Sequence, residues 1–186
     1  MPSTNNNAPL IWIDLEMTGL VPETDTILEI AVIITDSELN HLDNGLNLVI
    51  HQPDDILNSM NDWCVKQHGQ SGLTQLSKES TINMQAAEKQ VLNYIERNCI
   101  KGLSPLCGNS VGHDKRFLEI WMPELTEYLH YRIIDVSTIK ELIKRWYPQE
   151  KLSQKKEGHR ALDDICESID ELSWYKKKYF VNFQVS

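Results

Sequence analysis

In residues 10–19, LIWIDLEMTG, a short apolar segment is followed directly by two alternating carboxylates. The apolar run over residues 10–13 predicts a buried strand. Successive side chains of a strand point to opposite faces, so Asp14 and Glu16 would share one face at the strand's end. Carboxylates held together repel each other, and a divalent cation is the simplest compensation. Alone, an Asp-x-Glu pattern more often marks a solvated strand end, so the metal hypothesis depends on the rest of the chain.

The remaining chain mixes strands and helices. Further strands are predicted over residues 27–35, 46–50, 105–109 and 132–136. Two short helices are predicted within 54–71, and longer helices over 81–97, 112–121, 138–146 and 160–178. This order predicts an α/β fold with a central mixed sheet flanked by helices, and it leaves the strand order open.

Length and composition describe one domain. The chain has 186 residues, of which 41% are hydrophobic, enough for a single core. Residues 1–9 contain no basic cluster and no long apolar run, so we expect a disordered N-terminal tail rather than a signal peptide, followed by a single domain over 10–180 in the cytoplasm. No segment approaches the ~20 apolar residues of a membrane helix. None of the four cysteines is spaced as CxxC, which favours reduced thiols.

The net charge of −9 argues against a protein that grips long nucleic acid, because such proteins present a basic face. Basic residues do cluster over 151–160 and 176–178. These clusters fit solvated surfaces, and they are also compatible with a substrate that carries only a few phosphates.

The helix predicted over 112–121 carries a carboxylate on its apolar face. At about 100° per residue, Asp114 falls beside Phe117 and Trp121 rather than opposite them. A carboxylate that points inward needs a partner. A metal ion is one possible partner, and the backbone amides at the start of the helix are another.

The last predicted helix contains adjacent carboxylates that occupy different faces. Measured from Ile165, Asp164 flanks the apolar face, whereas Asp163 lies opposite it. Asp164 is therefore the candidate site residue. His159 precedes Asp164 by five residues. An imidazole has an ordinary pKa of ~6.5 and can accept a proton at neutral pH, although most single histidines are surface residues.

Four carboxylates and a histidine fit one chemistry. Four carboxylates can bind two divalent ions ~3.5–4 Å apart, one activating a water and one stabilising a leaving 3′ oxygen. A nearby histidine can take the water's proton. Hard carboxylate oxygens suit Mg²⁺ or Mn²⁺. The residues therefore predict phosphodiester hydrolysis with two metal ions.

Three segments carry a family resemblance, namely IDLEMTGL at 13–20, GNSVGHD at 108–114 and HRALDD at 159–164. They resemble the three motifs of the DEDDh-type 3′–5′ exonucleases. The resemblance implies a ribonuclease H-like fold. It also implies His159 as general base and four ligands of two Mg²⁺ or Mn²⁺ ions, namely Asp14, Glu16, Asp114 and Asp164. His113 departs from the glutamine that we expect most often at that position.

Other segments narrow the resemblance to a branch of this family that acts on very short RNA. Met17, MNDW at 60–63 and YRIIDVSTIKEL at 131–142 are typical of that branch, and the similarity extends over residues 10–179. The branch implies a homodimer without a membrane association. It implies hydrolysis of short single-stranded RNA, especially dinucleotides, to 5′-mononucleotides.

The same resemblance implies two sets of substrate contacts. The base end would consist of Leu20, Trp63 and His68. The end around the 5′ phosphate would consist of Ser110, Arg132, Ser137 and Thr138, with Tyr131 reaching the partner subunit's site. Base stacking tolerates any sequence, and an arginine can hold a phosphate bidentately. Core packing by Leu20 and Trp63, and helix capping by Ser137, are the ordinary alternatives.

Two other functions stay open from the sequence. One is a related exonuclease on longer RNA or DNA 3′ ends, similar to ribonuclease T, which would require a basic groove. The other is a catalytically idle nucleic-acid-binding module, which would normally lack a carboxylate or the histidine. All five residues are present here.

Overall fold

The computed structural model describes residues 8–149 and 160–180. The predicted N-terminal tail, residues 1–9, therefore lies outside the described chain apart from Ala8 and Pro9. His159 and the basic residues between 151 and 156 also lie outside it. Within the described ranges, no helix combines the length and the apolar character needed to cross a membrane.

Five strands form one mixed sheet in the order β3-β2-β1-β4-β5. The strands are β1 Leu10–Met17, β2 Ile27–Thr35, β3 Leu46–Val49, β4 Pro105–Gly108 and β5 His130–Asp135. β1 pairs antiparallel with β2 and parallel with β4. β2 pairs antiparallel with β3, and β4 pairs parallel with β5. The central mixed sheet predicted from the sequence is confirmed.

Eight helices accompany these strands in the described residues. They are α1 Asp54–Asn58, α2 Asp62–Gln70, α3 Leu73–Glu79, α4 Met84–Ile95, α5 Gly112–Trp121, α6 Pro123–Tyr128, α7 Val136–Trp146 and α8 Ala161–Tyr179. Asn61 and Asn83 begin α2 and α4, because each side chain accepts a hydrogen bond from a backbone amide of the helix's first turn.

Helices cover both faces of the sheet, and the alternating side chains of β1 show which helices lie on each face. Ile11, Ile13 and Leu15 pack in a core with residues of α4 and α5. Trp12 points the other way, into a second core with residues of α7 and α8. Every residue of β2 is buried, as expected for a strand covered on both sides. Because Asp14 and Glu16 share the parity of Trp12, their side chains belong to the α8 side.

Several predicted boundaries were wrong. β1 continues to Met17, beyond the apolar run over 10–13, because β2 pairs with it along its whole length. Asp14 and Glu16 lie in the last part of this strand, as expected. The two short helices predicted within 54–71 are confirmed as α1 and α2, but α3, which follows at Leu73–Glu79, was not predicted. Pro123 begins α6 rather than only ending α5, which reflects the tolerance of a first helical turn for proline.

The start of α7 also differs from the prediction. Asp135, not Ser137, is its N-cap residue, and its side chain accepts a hydrogen bond from the amide of Ser137. The capping alternative for Ser137 is therefore wrong, because the helix begins two residues earlier than predicted.

Candidate active site

Three carboxylates from two elements meet beside the sheet. Asp14 and Glu16 project from β1 toward α8, whose first turn carries Asp164. One oxygen from each of these three carboxylates lies within 4.8 Å of the others. The three oxygens are hard donors at a separation that a divalent cation can bridge, so the donor set fits Mg²⁺ or Mn²⁺.

The first turn of α8 distinguishes its two adjacent carboxylates. Asp163 is exposed, whereas Asp164 is half-buried and belongs to the carboxylate cluster of Asp14, Glu16 and Asp164. The helical wheel of residues 160–178 predicts this arrangement, which the structure confirms. The helix faces the sheet through Ile165 and Ile169, and this packing turns Asp164 toward β1.

Asp114 approaches the cluster from the opposite layer. It lies in the first turn of α5 and is buried, and its Oδ1 accepts a hydrogen bond of 3.1 Å from the amide of Leu15. Leu15 stands between the two acidic residues of β1, so this bond ties Asp114 to the same part of the strand. Burial raises the pKa of Asp114 to about 7, against the effect of its backbone hydrogen bonds.

Glu16 has a strongly perturbed carboxyl. Burial raises its pKa to about 8, and the charges of Asp164, Glu29 and Asp114 add to this effect, while Arg160 opposes it. The site thus concentrates negative charge where water is scarce, which is unfavourable unless a proton or a cation is bound. A bound divalent cation would remove that penalty.

His68 connects α2 to the carboxylate cluster. Its Nε2 lies 2.9 Å from the carbonyl oxygen of Met17, and its Nδ1 lies 3.8 Å from a carboxylate oxygen of Glu16. The side chain is 2% exposed. In this structure His68 contacts the end of β1, and it does not present an open surface to a base.

Leu20, just after the C-terminal end of β1, and Trp63 in α2 are exposed. Leu20 follows that strand and is 71% exposed, and Trp63 in α2 is 64% exposed. The alternative that either side chain belongs to the core is therefore wrong.

A separate pocket of about 470 Å³ lies between the start of α5 and α7. The residues that line it are Ser110, Gly112, Asp135, Ser137, Thr138, Glu141, Leu142 and Arg145. The hydroxyl oxygens of Ser110 and Ser137 are 3.0 Å apart. Ser110 has a φ of 55°, and its amide donates to the carboxylate of Asp135, 2.9 Å away. The structure thus brings together three of the four residues predicted around the 5′ phosphate.

Arg132, the fourth residue, is not among those that line this pocket. It is exposed on β5, and its guanidinium carbon lies 5.1 Å from the centre of the Tyr131 ring. Tyr131 is itself 73% exposed. The pocket's own cation is Arg145, which sequence reasoning missed and which is paired with Glu141. The spacing of Glu141 and Arg145, one helical turn apart, was the available signal.

Comparison with known proteins identifies the class first. A family profile described as Exonuclease (RNase_T) matches residues 11–172. The fold agrees: exonuclease I of Methylocaldum szegediense superposes with a TM-score of 0.70 at 16% identity, over 92% of this chain and 41% of that one. E. coli exonuclease I in complex with a dA16 oligonucleotide gives a TM-score of 0.73 at 15% identity. This chain therefore spans about two fifths of those structures, which share its ribonuclease H-like exonuclease fold. The chain belongs to the exonuclease family.

Close relatives then identify the branch. The oligoribonuclease of Pseudoalteromonas atlantica is 55% identical over 172 residues, which is 92% of this chain and 95% of the relative. The mitochondrial oligoribonuclease of Homo sapiens is 55% identical over 173 residues, which is 92% of this chain and 73% of the relative. Within the DEDDh exonucleases, the branch is thus that of the oligoribonucleases, and the resemblance stated from the sequence is confirmed.

Proposed function

We propose that this protein is a 3′–5′ exoribonuclease that hydrolyses short oligoribonucleotides, with dinucleotides as its preferred substrates. The observation that carries the proposal is the meeting of Asp14, Glu16 and Asp164, within 4.8 Å, in a chain that is 55% identical to oligoribonucleases over most of its length. The chemistry follows from the residues of the cluster, and the preference for short RNA follows from what surrounds them.

The carboxylates of Asp14, Glu16, Asp114 and Asp164 would hold two Mg²⁺ or Mn²⁺ ions. Bound there, the ions would supply charge to activate the attacking water and to stabilise the leaving 3′ oxygen. The burial of Asp114 and Glu16 supports this role, because a low-dielectric site strengthens every charge interaction at the scissile phosphate.

His159 would accept the proton of the attacking water. It lies outside the described residues, so its role rests on its position in the sequence, directly before Arg160 and five residues before Asp164. Its neighbour Arg160 is anchored to the sheet by the carboxylate of Glu29. An imidazole near its ordinary pKa is an efficient general base at neutral pH.

The exposed side chains of Trp63 and Leu20 would bind the bases of the substrate. Stacking on an aromatic ring contributes about 1–3 kcal/mol per base and does not select a sequence. His68 would act behind this surface by holding the end of β1, to which it is hydrogen-bonded.

The pocket lined by Ser110, Ser137 and Thr138 would bind the 5′ phosphate of the substrate. Hydroxyl and amide groups in this pocket can donate to a phosphate, and Arg132 or Arg145 would supply the positive charge. A phosphate site at a fixed distance from the metal ions would set the length of the preferred substrate. It would also explain how a chain with a net charge of −9 binds RNA.

A homodimer is part of the proposal. Tyr131 is exposed on β5, the edge strand of the sheet, where it would reach the partner subunit's site. An exposed edge strand favours pairing with another chain. The cytoplasmic location expected from the sequence stays a prediction.

The test is Mg²⁺- or Mn²⁺-dependent cleavage of 5′-phosphorylated RNAs from dinucleotides to roughly twenty nucleotides. We expect the rate to fall steeply with length and the products to be 5′-mononucleotides. Equal rates on long RNA would instead favour a general exonuclease. Metal binding without cleavage at any length would favour the idle binding module.

A further inference from the structure

Glu29 is an anomaly in the sheet. It sits in β2, a strand whose other residues are Ile27, Leu28 and residues 30–35, almost all apolar. Its side chain is fully buried, and its strand partner is Glu16 of the carboxylate cluster. A buried carboxylate opposite another carboxylate is costly, so its presence needs compensating partners.

Arg160 supplies most of that compensation. Its Nε donates to both carboxylate oxygens of Glu29, at 3.1 and 3.2 Å, and its Nη2 donates at 2.6 Å. Asn47 of β3 adds a hydrogen bond of 2.8 Å. The amide of Ala161 lies 3.5 Å from the same carboxylate, at the N-terminus of α8. Glu29 is thus satisfied by groups from two other elements, and one of these elements is the helix that carries Asp164.

The bond to Arg160 reaches Asp164 through the backbone. Arg160 is the N-cap residue of α8, and its side chain caps nothing within its own helix. Its carbonyl oxygen accepts hydrogen bonds from the amides of Asp163 and Asp164, at 2.9 and 3.1 Å. Because Glu29 fixes the position of Arg160, it also fixes the first turn of α8, which carries Asp164.

We propose that Glu29 is a positioning residue: by anchoring Arg160 and the N-terminus of α8 to β2, it sets Asp164 at the distance from Asp14 and Glu16 that metal binding requires. The inference rests on the proposed function, since it assigns a supporting residue to the same metal site. Mutation of residues that orient metal ligands typically lowers metal affinity or activity about 10–100-fold.

A second ion pair on the same helix provides a matched comparison. Lys176, near the end of α8, donates to Glu38 at 2.6 Å, and the two side chains are 40% and 70% exposed. Both pairs join α8 to a residue of β2 or of the segment after it. Only the pair formed by Glu29 and Arg160 lies next to the carboxylate cluster.

The decisive variant is Arg160→Lys, because it keeps the positive charge and removes the forked contact with both oxygens of Glu29. Manganese affinity would be measured on the full-length protein by electron paramagnetic resonance, without RNA. The steady-state turnover of a 5′-phosphorylated dinucleotide by the same variant would then be measured. We expect Mn²⁺ affinity and kcat each to fall about tenfold, with KM for the dinucleotide within about twofold of wild type.

Glu29→Gln, compared with Glu38→Gln, completes the test. The same chemical change should weaken Mn²⁺ binding about tenfold at position 29 and leave it unaltered at position 38. Wild-type Mn²⁺ affinity in Arg160→Lys would overturn the proposal, and so would equal losses in Glu29→Gln and Glu38→Gln. If the circular dichroism of Glu29→Gln showed that this variant does not fold, the Mn²⁺ affinity of Arg160→Lys would still test whether Glu29 positions Asp164.

The two hypotheses fail in different ways. A wild-type protein that binds Mn²⁺ but does not cleave dinucleotides would refute the proposed function. The Mn²⁺ affinities of the variants would still report whether Glu29 positions Asp164.

Discussion

The two ends of the candidate active site are built differently. At the metal end, Asp14, Glu16, Asp114 and Asp164 project from regular elements that pack on both faces of the sheet. At the substrate ends, Trp63 and Leu20 lie in solvent, and Arg132 and Tyr131 are exposed on an edge strand. The difference leads us to expect that the four carboxylates are held in place before RNA binds, whereas the contacts to bases and phosphate form only with the substrate.

The largest effect is expected at the metal end. Asp164→Asn should lower kcat for a dinucleotide by at least about a thousandfold, because it removes one of the ligand oxygens of the ions that carry the reaction. Its matched control is Asp163→Asn, an identical change one residue away, at an exposed side chain. That control should stay within about twofold of wild type. If Asp163→Asn were inactive and Asp164→Asn active, the assignment of the ligand would be reversed.

His159→Ala tests the proton acceptor separately from the metal ligands. We expect kcat to fall by about 10²–10⁴ while Mn²⁺ affinity stays near the wild-type value, since the imidazole transfers a proton and binds no ion. Turnover and Mn²⁺ titration on the same preparation would distinguish the two roles. Unchanged turnover would remove His159 from the mechanism, and a parallel loss of Mn²⁺ affinity would make it a metal-site residue.

Trp63→Ala addresses the base end. Loss of one stacking platform should reduce kcat/KM for dinucleotides by about 1–3 kcal/mol, roughly 5–150-fold. The melting temperature should hardly change, because the side chain is 64% exposed. Trp63→Phe, which keeps an aromatic face, should recover most of the loss. A destabilised protein with normal KM would show that Trp63 has a structural role instead.

At the phosphate end, we expect a smaller loss of activity than for Trp63→Ala, and a loss that depends on the 5′ phosphate of the substrate. Arg132→Ala should lower the preference for 5′-phosphorylated over unphosphorylated dinucleotides by about tenfold, as expected for a lost hydrogen bond between charged groups. Arg145→Ala is the informative comparison, because Arg145 lines the pocket and Arg132 does not. Equal loss with both substrates would refute a phosphate contact for either arginine.

The smallest expected effect is on the pH dependence of the stability of the metal-free protein. Glu16 has a folded-state pKa of about 8 against an ordinary value of 4.5, mainly because of burial. Between these values the folded state binds more protons than the unfolded state, so the free energy of unfolding falls as pH rises from about 5 to 8. Asp114, raised to about 7, acts in the same direction.

In metal-free protein, Glu16→Gln should therefore raise the melting temperature at pH 8 by roughly 4 °C or more, and by much less at pH 5. Thermal unfolding followed by circular dichroism at both pH values checks this. The same gain at both pH values would show that the effect does not come from ionisation of Glu16.

The sequence predicted the metal end better than the substrate ends. Periodicity alone placed Asp14 and Glu16 on one face and separated Asp164 from Asp163, because strands and helices have fixed repeats. It could not show that Glu29 is bound by Arg160, since 131 positions separate them in the chain. The signal for Glu29 was a single charged residue within the apolar run over 27–35.

Contacts made outside regular periodicity were less predictable. His68 was expected to line the pocket for the bases, and the structure shows it buried against Met17 and Glu16. Arg145 was missed, since a helical surface arginine paired one turn away looks like any solvent-exposed residue. Contacts like these depend on which helices and strands pack together, and the spacing of residues in a single sequence does not reveal that packing.

In the proposed mechanism, the carboxylate cluster of Asp14, Glu16 and Asp164, together with Asp114, binds the ions that drive hydrolysis. Anomalous diffraction from crystals containing Mn²⁺ and a dinucleotide with a non-hydrolysable linkage tests it most directly. We expect two manganese peaks ~3.5–4 Å apart among these four carboxylates, with the phosphate between them. Strong manganese peaks elsewhere, with none at Asp14, Glu16 and Asp164, would contradict it.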